Sequence, residues 1–336
     1  MAKITIPAVN LAFDCADDDT IMRAAVRNGL GFPYECNVGS CGNCKFELLG
    51  GEIEHLRQNP PGWSERDLQR KRYLGCQAKP LSDCSIKLNL RDHYKSHILP
   101  SKVSGKLIGL EDLTHDIREF RFELDKPVKF LPGQYALLSV PKVEGARAYS
   151  MGNITQDGRE WHFQIKRVPN GVATSALFDH LAIGDVIGLD GPYGMAYLRE
   201  EAPRDLLLIA GGSGLSPMIS LTRGVAASEK LHSRNVHFFY GGRAARDMCA
   251  DKVLGSLPEF GKRIHYYPAI SMPETEGPQW TGRTGFIHDY AKETFGEKIR
   301  EMEIYFAGPP AMAEAITRMI VEYKVPTTQV HFDQFY

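Results

Sequence analysis

Cys36-Asn37-Val38-Gly39-Ser40-Cys41-Gly42-Asn43-Cys44 is the stretch on which the reading of this chain turns. A fourth cysteine, Cys76, follows after a gap of 31 residues. The spacing C-x4-C-x2-C…C is that of thiolates holding a two-iron, two-sulfide cluster. Three ligands on one loop and one from a distant segment mean that tertiary structure closes the site. Small residues let the loop bend tightly and aim N–H groups at sulfur, where hydrogen bonds tune the reduction potential. Two blander readings compete. A zinc ion on four cysteines usually takes two C-x2-4-C pairs, and here the fourth cysteine stands alone. The other is a set of free buried thiols, which the spacing disfavours.

Around this loop, residues 1–95 carry short strand-like runs. Ile4 and Ile6 alternate with polar neighbours, 11–13 follow a turn, 45–49 follow the cysteine loop, and 84–90 alternate at Ile86, Leu88 and Leu90. Residues 20–28 predict a helix, with Thr20 as cap, Ile21, Ala24, Ala25 and Asn28 at helical spacing, and Gly29 as stop. A helix across a mixed sheet, with the metal loop on one edge, is a β-grasp arrangement. Residues 59–72 read as a solvated connection to Cys76. Within it, the charge run 66–72 reads first as a solvated face and second as an aid to docking. Residues 92–102 are poor in apolar side chains and hold Pro100; the linker proper is set at 96–102. The His93/His97 pair there reads as surface rather than metal site.

From 103 to 199 alternating runs dominate, at 117–124, 135–140, 162–168 and 186–189, punctuated by Gly and Pro. Many short strands with turn signals predict an antiparallel β-barrel, interrupted by one helix near 173–181. From 200 to 336 the texture changes. Leu206-Leu207-Leu208-Ile209-Ala210 is a continuous apolar run, as in a strand buried on both faces. Similar runs lie at 236–240, 264–268 and 303–307, with helical segments at 217–227, 286–295 and 310–323. Alternating strand and helix predict a parallel, Rossmann-like α/β sheet. The expected whole is therefore multidomain, α+β and α/β.

Composition narrows the partners. Of 336 residues, 43% are hydrophobic, enough for two or three real cores, and the net charge of −1 offers no field for nucleic acid or an anionic membrane. No apolar run approaches the roughly 18 residues that span a bilayer. The first residues lack the apolar stretch of a secretion signal. Seven cysteines, four with metal spacing, point to a reducing cytoplasm, with Cys15, Cys84 and Cys249 as small buried hydrophobes.

Two further motifs carry chemistry. Gly211-Gly212-Ser213-Gly214-Leu215-Ser216-Pro217 follows the buried strand and opens a helix. Glycines let a pyrophosphate approach the backbone, and a helix N-terminus supplies free N–H groups and partial positive charge. Pro217 suits the first helical position. The turn is neither G-x-G-x-x-G nor a P-loop. The second motif is Arg147-Ala148-Tyr149-Ser150, where a cation, a flat ring and a hydroxyl suit a phosphate, a ring system and a ring nitrogen.

These motifs, with Tyr240-Gly241-Gly242-Arg243 and Gly308-Pro309-Pro310-Ala311-Met312 in that order, resemble the ferredoxin–NADP+ reductase superfamily. With the plant-type cluster motif in front, the whole chain resembles the NADH-dependent reductase components of bacterial multicomponent oxygenases. Within them it is similar to those of toluene 4-monooxygenase and its toluene and phenol monooxygenase relatives. The resemblance implies three domains: a β-grasp [2Fe–2S] ferredoxin domain at 1–95, an FAD-binding β-barrel at 103–199 and an NAD(H)-binding α/β domain at 200–336.

It also implies roles. Cys36, Cys41, Cys44 and Cys76 would hold the cluster. Arg147 would pair with the FAD pyrophosphate, Tyr149 pack on the isoalloxazine and Ser150 approach flavin N5. Ile165 and Lys166 would contact the flavin, and Gly171-Val172-Ala173-Thr174 would bind phosphate, with Thr174 as hydroxyl donor. Gly211, Gly212, Ser213, Gly214 and Pro217 would hold the nicotinamide dinucleotide, Arg243 and Asp247 its adenosine half, and Gly308, Pro309 and Pro310 would border the nicotinamide. Asp333 and Phe335 match an acidic-x-Phe ending, so Phe335 or the final Tyr336 would cover the flavin. Ala307 departs from the family, which usually has Cys there. Asp247 beside Arg243 and Arg246 disfavours a 2′-phosphate, so NADH is expected over NADPH.

The implied activity is electron transfer from NADH through FAD and [2Fe–2S] to a Rieske-type ferredoxin of a di-iron aromatic monooxygenase, by a cytoplasmic monomer. Direct delivery to a Rieske ring-hydroxylating dioxygenase or another di-iron monooxygenase is the alternative. A redox-sensing, cofactor-binding protein is the reading from another class.

Overall fold

The structure, a computed structural model, describes residues 1–273 and 279–334. Strands β1 (Ala2–Ile6) and β2 (Leu11–Cys15) form a hairpin, followed by helix α1 (Ile21–Arg27), β3 (Lys45–Gly50), β4 (Ile53–His55), α2 (Glu65–Gln69), β5 (Arg72–Leu74), β6 (Ala78–Pro80) and β7 (Cys84–Lys87). The sheet order is β2-β1-β7-β3-β5, with β1 and β7 parallel and the other pairs antiparallel; β4 and β6 make a separate ribbon. Helix α1 buries Ile21, Met22, Ala24, Ala25 and Val26 against this mixed sheet, the expected β-grasp.

Two local expectations fail here. Thr20 precedes α1, yet its Oγ1 is buried without a partner. Its cap is not needed, because the N–H of Met22 goes to Gly75 O at 3.0 Å and ties the helix start to the Cys76 segment. The segment 59–72 also contains α2. Five residues show little apolar periodicity, but Ser64 and Asp67 form a capping box, and that signature was readable.

The second unit contains β8 (Ser101–Asp112), β9 (Ile117–Leu124), β10 (Tyr135–Ser139), β11 (Arg147–Ser150), β12 (Glu160–Lys166), α3 (Val172–His180) and β13 (Val186–Tyr193). Strand β8 thus starts inside the segment read as linker. The antiparallel order is β11-β10-β13-β8-β9-β12, and a Met151–Phe163 bridge nearly closes the barrel. Phe120, Phe122, Trp161 and Phe163 fill its interior.

Strand β10 is apolar on both faces, and the alternation explains why. Ala136 and Leu138 point into the barrel, whereas Tyr135 and Leu137 join the hydrophobic cluster of the first unit. Polar bonds reinforce this seam. Arg27 donates to both oxygens of Asp190 at 2.8 and 2.7 Å and to Asp19 at 2.7 Å. The Gly194 N–H donates to the Tyr34 hydroxyl at 3.1 Å, and the Tyr135 hydroxyl donates to Glu35 O.

The third unit is β14 (Leu206–Gly211), α4 (Leu215–Ala227), β15 (Val236–Gly242), α5 (Ala250–Leu254), β16 (Ile264–Ile270), β17 (Arg283–Thr284), α6 (Ile287–Phe295), β18 (Glu303–Gly308), α7 (Pro310–Glu322) and β19 (Val330–Gln334). Its parallel sheet has the order β17-β16-β15-β14-β18-β19. Alternate residues of β14 explain its apolar run. Leu206, Leu208 and Ala210 pack with α4 and α5, and Leu207 and Ile209 with α6 and α7. Pro217 is the third residue of α4, not the first, because Leu215 already continues the glycine turn into the helix. Among the described residues no helix is long and apolar enough to cross a membrane. Cys15, Cys84 and Cys249 are buried.

The seam predicts a contrast. Leu137→Ala should cost about 2–5 kcal/mol, because a buried leucine leaves a cavity between two units. Leu81→Ala, at a side chain 59% exposed, should change stability by about 0.5 kcal/mol or less. Denaturant unfolding of the two variants measures the difference.

Candidate functional site

The cysteine loop is shaped by left-handed backbone at Asn37, Gly39 and Gly42, with φ of 56°, 85° and 81°. At Gly39 a side chain would also press on Pro60 and Gln77 at 3.0–3.2 Å. The four thiols gather as two pairs. Cys44 and Cys76 have sulfurs 3.3 Å apart, and Cys36 and Cys41 are hydrogen-bonded through their side chains. No three of these sulfurs lie within 4.8 Å of one another, a spacing met among the described residues only by His115, Asp116 and Asp247. One tetrahedral zinc would need all four about 3.8 Å apart. Two pairs fit two irons.

In each thiol pair one member is favoured as thiolate, Cys36 and Cys76, while its hydrogen-bonded partner, Cys41 or Cys44, is pushed up. The Cys41 side chain, then the N–H groups of Val38, Cys41 and Ser40, hold the Cys36 thiol down to about 5. The Ser40 and Cys41 N–H groups reach its sulfur at 3.3 Å. Gln77 donates to the Cys76 sulfur at 3.8 Å, and Arg23 pins Asn37 Oδ1 at 2.9 Å. Sequence reasoning passed over Arg23 and Gln77, since neither carries a metal-ligand signature.

In the third unit the strand order reverses between β14 and β18, the position where doubly wound sheets open a ligand crevice. The two predicted turns abut there. A side chain at Gly214 would lie 1.8 Å from Ala307 O, and one at Gly211 would lie 2.7 Å from Met312 Sδ. Gly212 has φ of 55° and faces the stem of Lys166. Gly308, Pro309 and Pro310 lead into α7 beside this turn. Glycine is therefore demanded by the close crossing of two strand ends, and it leaves backbone open to a dinucleotide.

Farther along, Asp247 is buried with its Oδ2 accepting from the N–H groups of Arg243 and Ala244 at 2.8 and 2.9 Å. Its carboxylate shapes the turn after β15. The Arg243 and Arg246 side chains are exposed and have no partner among the described residues.

The barrel brings its residues to the same crevice. The Ser150 hydroxyl donates to Asp333 Oδ2 at 3.0 Å, and Ser150 O accepts from Ser216 Oγ at 2.8 Å. Ser216 lies on α4, inside the glycine motif, which had given it no role of its own. Tyr149 is adjacent, its phenol pushed up to about 12 by burial. Arg147 reaches carbonyls 144–146 at 3.1–3.3 Å and has no carboxylate partner among the described residues. Ile165 lies in the barrel core and offers only backbone. Lys166 Nζ is paired with Asp116 at 2.8 Å. Gly171 precedes α3, whose first N–H groups at Val172 and Ala173 lack acceptors within the helix. The Thr174 hydroxyl is engaged in the turn, accepting from the Val168 N–H at 3.2 Å. An uncompensated cation and free helix N–H groups fit a pyrophosphate, and Tyr149 with Ser150 fit a flat ring. Phe335 and Tyr336 lie outside the described residues.

The pieces converge. A cleft of about 210 Å³ is lined by Glu35, Cys36, Tyr94, Met195, Arg199 and Asp333, so one cluster thiol and the crevice carboxyl share a cavity. The fold and these sites together define an iron–sulfur flavoprotein oxidoreductase.

Comparison with known proteins agrees. Models of a 2Fe-2S iron-sulfur cluster binding domain, an oxidoreductase FAD-binding domain and an oxidoreductase NAD-binding domain match residues 4–81, 104–197 and 208–318. The chain is 38% identical over 324 residues to the ferredoxin–NAD(P)+ reductase CarAd of Metapseudomonas resinovorans, covering 96% of each chain. It is 31% identical to the xylene/toluene monooxygenase electron transfer component XylA of Pseudomonas putida, covering 100% of this chain and 94% of that one. The solved ferredoxin reductase in carbazole 1,9a-dioxygenase superposes with a TM-score of 0.90 at 35% identity, covering 100% of this chain and 98% of that one. The chain belongs to the ferredoxin–NAD(P)+ reductase components of multicomponent oxygenases.

Burial pushes the Asp333 carboxyl up to about 6, against the weaker pull of the Ser150 hydroxyl. An unfolded carboxyl titrates near 3.9, so the native state binds more protons between about pH 4 and 6. Stability from this group is therefore lost as pH rises through that window. Asp333→Asn should gain on wild type by up to ~3 kcal/mol between pH 4 and pH 7.5, measured by thermal melts at both.

Proposed function

We propose that this protein carries electrons from NADH through FAD and a [2Fe–2S] cluster to a Rieske-type ferredoxin that serves a toluene-type aromatic monooxygenase. The observation that carries the reading is the shared cleft, in which Cys36 and Asp333 face one space. When bound, the flavin accepts electrons in pairs as hydride and releases them singly. The protein supplies placement. Gly211, Gly212, Ser213, Gly214 and Pro217 hold the dinucleotide at the β14–β18 crevice, with Gly308, Pro309 and Pro310 beside the nicotinamide. Arg147 and the start of α3 bind the flavin pyrophosphate, Tyr149 packs on its ring, and Ser150, fixed by Asp333 and Ser216, orients the ring edge. By the family resemblance alone, Phe335 or Tyr336 would cover the other face. Cys36, Cys41, Cys44 and Cys76 hold the cluster. Domain limits of 1–95, 103–199 and 200–336 assign one site to each unit. All three sites are completed within one chain, which supports a monomer, and unpaired cysteines support a cytoplasmic setting.

A second reading has a specific support. The solved relative named for carbazole 1,9a-dioxygenase favours an acceptor from a ring-hydroxylating dioxygenase. Reconstitution with ferredoxins of both kinds separates the two by kcat/KM.

The Asp247 carboxylate is partly satisfied by its own turn, and Arg243 and Arg246 stand unpaired nearby. NADH is the proposed donor, and NADPH should work more weakly rather than not at all; kcat/KM with each nucleotide measures the preference. The order of carriers has its own test. Purified protein should contain about two irons per flavin. Cys41→Ser should abolish reduction of one-electron acceptor proteins while NADH still bleaches the flavin. Equal loss of both, with fold and flavin content intact, overturns the order.

A further inference from the structure

The cluster loop is not covered evenly. Segment 60–63 lies directly on it: the Gly62 N–H donates to Gly39 O at 2.9 Å, and a side chain at Gly62 would meet Gly42 N at 2.7 Å. Trp63 anchors the segment by stacking near Tyr73 and donating to Arg72 O at 2.6 Å. Helix α2 follows at once. Its capping box and the Lys45–Asp67 pair at 2.9 Å fix its inner side. That leaves Arg66, Arg70, Lys71 and Arg72 outward, with Arg57 from the neighbouring ribbon end. All five are exposed, and none has a carboxylate partner among the described residues. The acids beside them are Glu54, Glu65 and Glu47, which lies opposite Arg72 in register but contacts Lys87 at 3.6 Å. Leu56 and Leu68, 48% and 49% exposed, sit among the cations. The rim of the cluster is thus strongly basic in a chain whose net charge is −1.

We propose that this surface is the docking site for a small acidic protein that takes one electron at a time. The inference rests on the electron-transfer reading above and names where its acceptor binds. Complementary charge steers encounter and fixes register, and Leu56 and Leu68 give the contact an apolar centre. The surface continues from segment 60–63, which itself rests on Gly39 and Gly42, so a partner seated there lies beside the cluster loop. One electron leaves the reduced cluster and one enters the oxidised centre of the partner, with no proton or bond exchanged.

The test uses the full holoprotein and an acidic [2Fe–2S] ferredoxin as probe. Arg66→Glu/Arg70→Glu reverses charge at exposed positions outside every cofactor site. Lys126→Glu/Lys129→Glu makes the same change on the barrel, also at exposed positions. Kd for the probe is measured by calorimetry at low and high salt, together with NADH-driven reduction of the probe, of basic cytochrome c and of ferricyanide. The α2 variant should weaken Kd and raise KM for the probe about tenfold or more at low salt, lose most of the salt dependence, lower KM for cytochrome c and leave kcat with ferricyanide unchanged. The barrel variant should alter none of these by more than about twofold. Equal weakening by both variants, or by neither, overturns the docking site while ferricyanide turnover shows the electron route intact. Wild-type protein that reduces neither ferredoxin nor ferricyanide overturns the electron-transfer reading, and this proposal with it.

Discussion

The structure depends on β10 being buried on both faces. A barrel strand normally shows one face to its core and one to water. Here Ala136 and Leu138 fill the barrel, while Tyr135 and Leu137 are taken up by the core of the β-grasp unit. At about 1.5–3 kcal/mol for each large apolar side chain, this shared seam holds the cysteine loop against the barrel without a dedicated linker. The strand also connects two chemistries. Tyr135 lies opposite Ser150 in register, and its hydroxyl donates to Glu35 O, one residue before Cys36. Its backbone therefore borders the ring-binding edge while its side chain reaches the cluster loop.

Polar groups in the seam add direction rather than bulk attraction. Arg27 and Asp190 are 19% and 15% exposed at their side chains, so desolvation consumes much of their Coulomb energy. The geometry is what matters. Two parallel N–H···O bonds to Asp190 set the orientation of α1 on β13, and the bond to Asp19, just before α1, holds the guanidinium in place for them. The Tyr193 hydroxyl donates to the same Asp190 at 3.0 Å and closes the network. Apolar contact holds the units together, and this clamp sets their register.

Much of this was legible in the sequence, and the limits have physical causes. The cysteine spacing, the glycine turn after an apolar run and the alternating strands each depend on local geometry, so they could be read without a partner. The β-grasp, the barrel and the parallel sheet followed from them. What stayed hidden was tertiary. The doubled burial of β10 looks like any apolar strand until the second unit is in place. Ser216 became visible only when α4 met β11. Thr20 was misread because Gly75, far along the chain, takes the bond that a cap would make. That the turn after β15 also claims one carboxylate oxygen of Asp247 could not be read from the motif. Family resemblance supplied residue roles that no spacing could.

Ala307 shows how a departure from the family pattern can be absorbed. The position is fully buried and packs in the cluster of Leu215 and Met218, so a methyl group suffices there. What the crevice requires of residue 307 is its carbonyl oxygen, against which Gly214 closes so tightly that any side chain on that glycine would collide. The spacing of the two strand ends is therefore set by backbone contact. A thiol at 307 is not needed to hold the turn in place, and the glycines that allow the crossing carry the constraint instead.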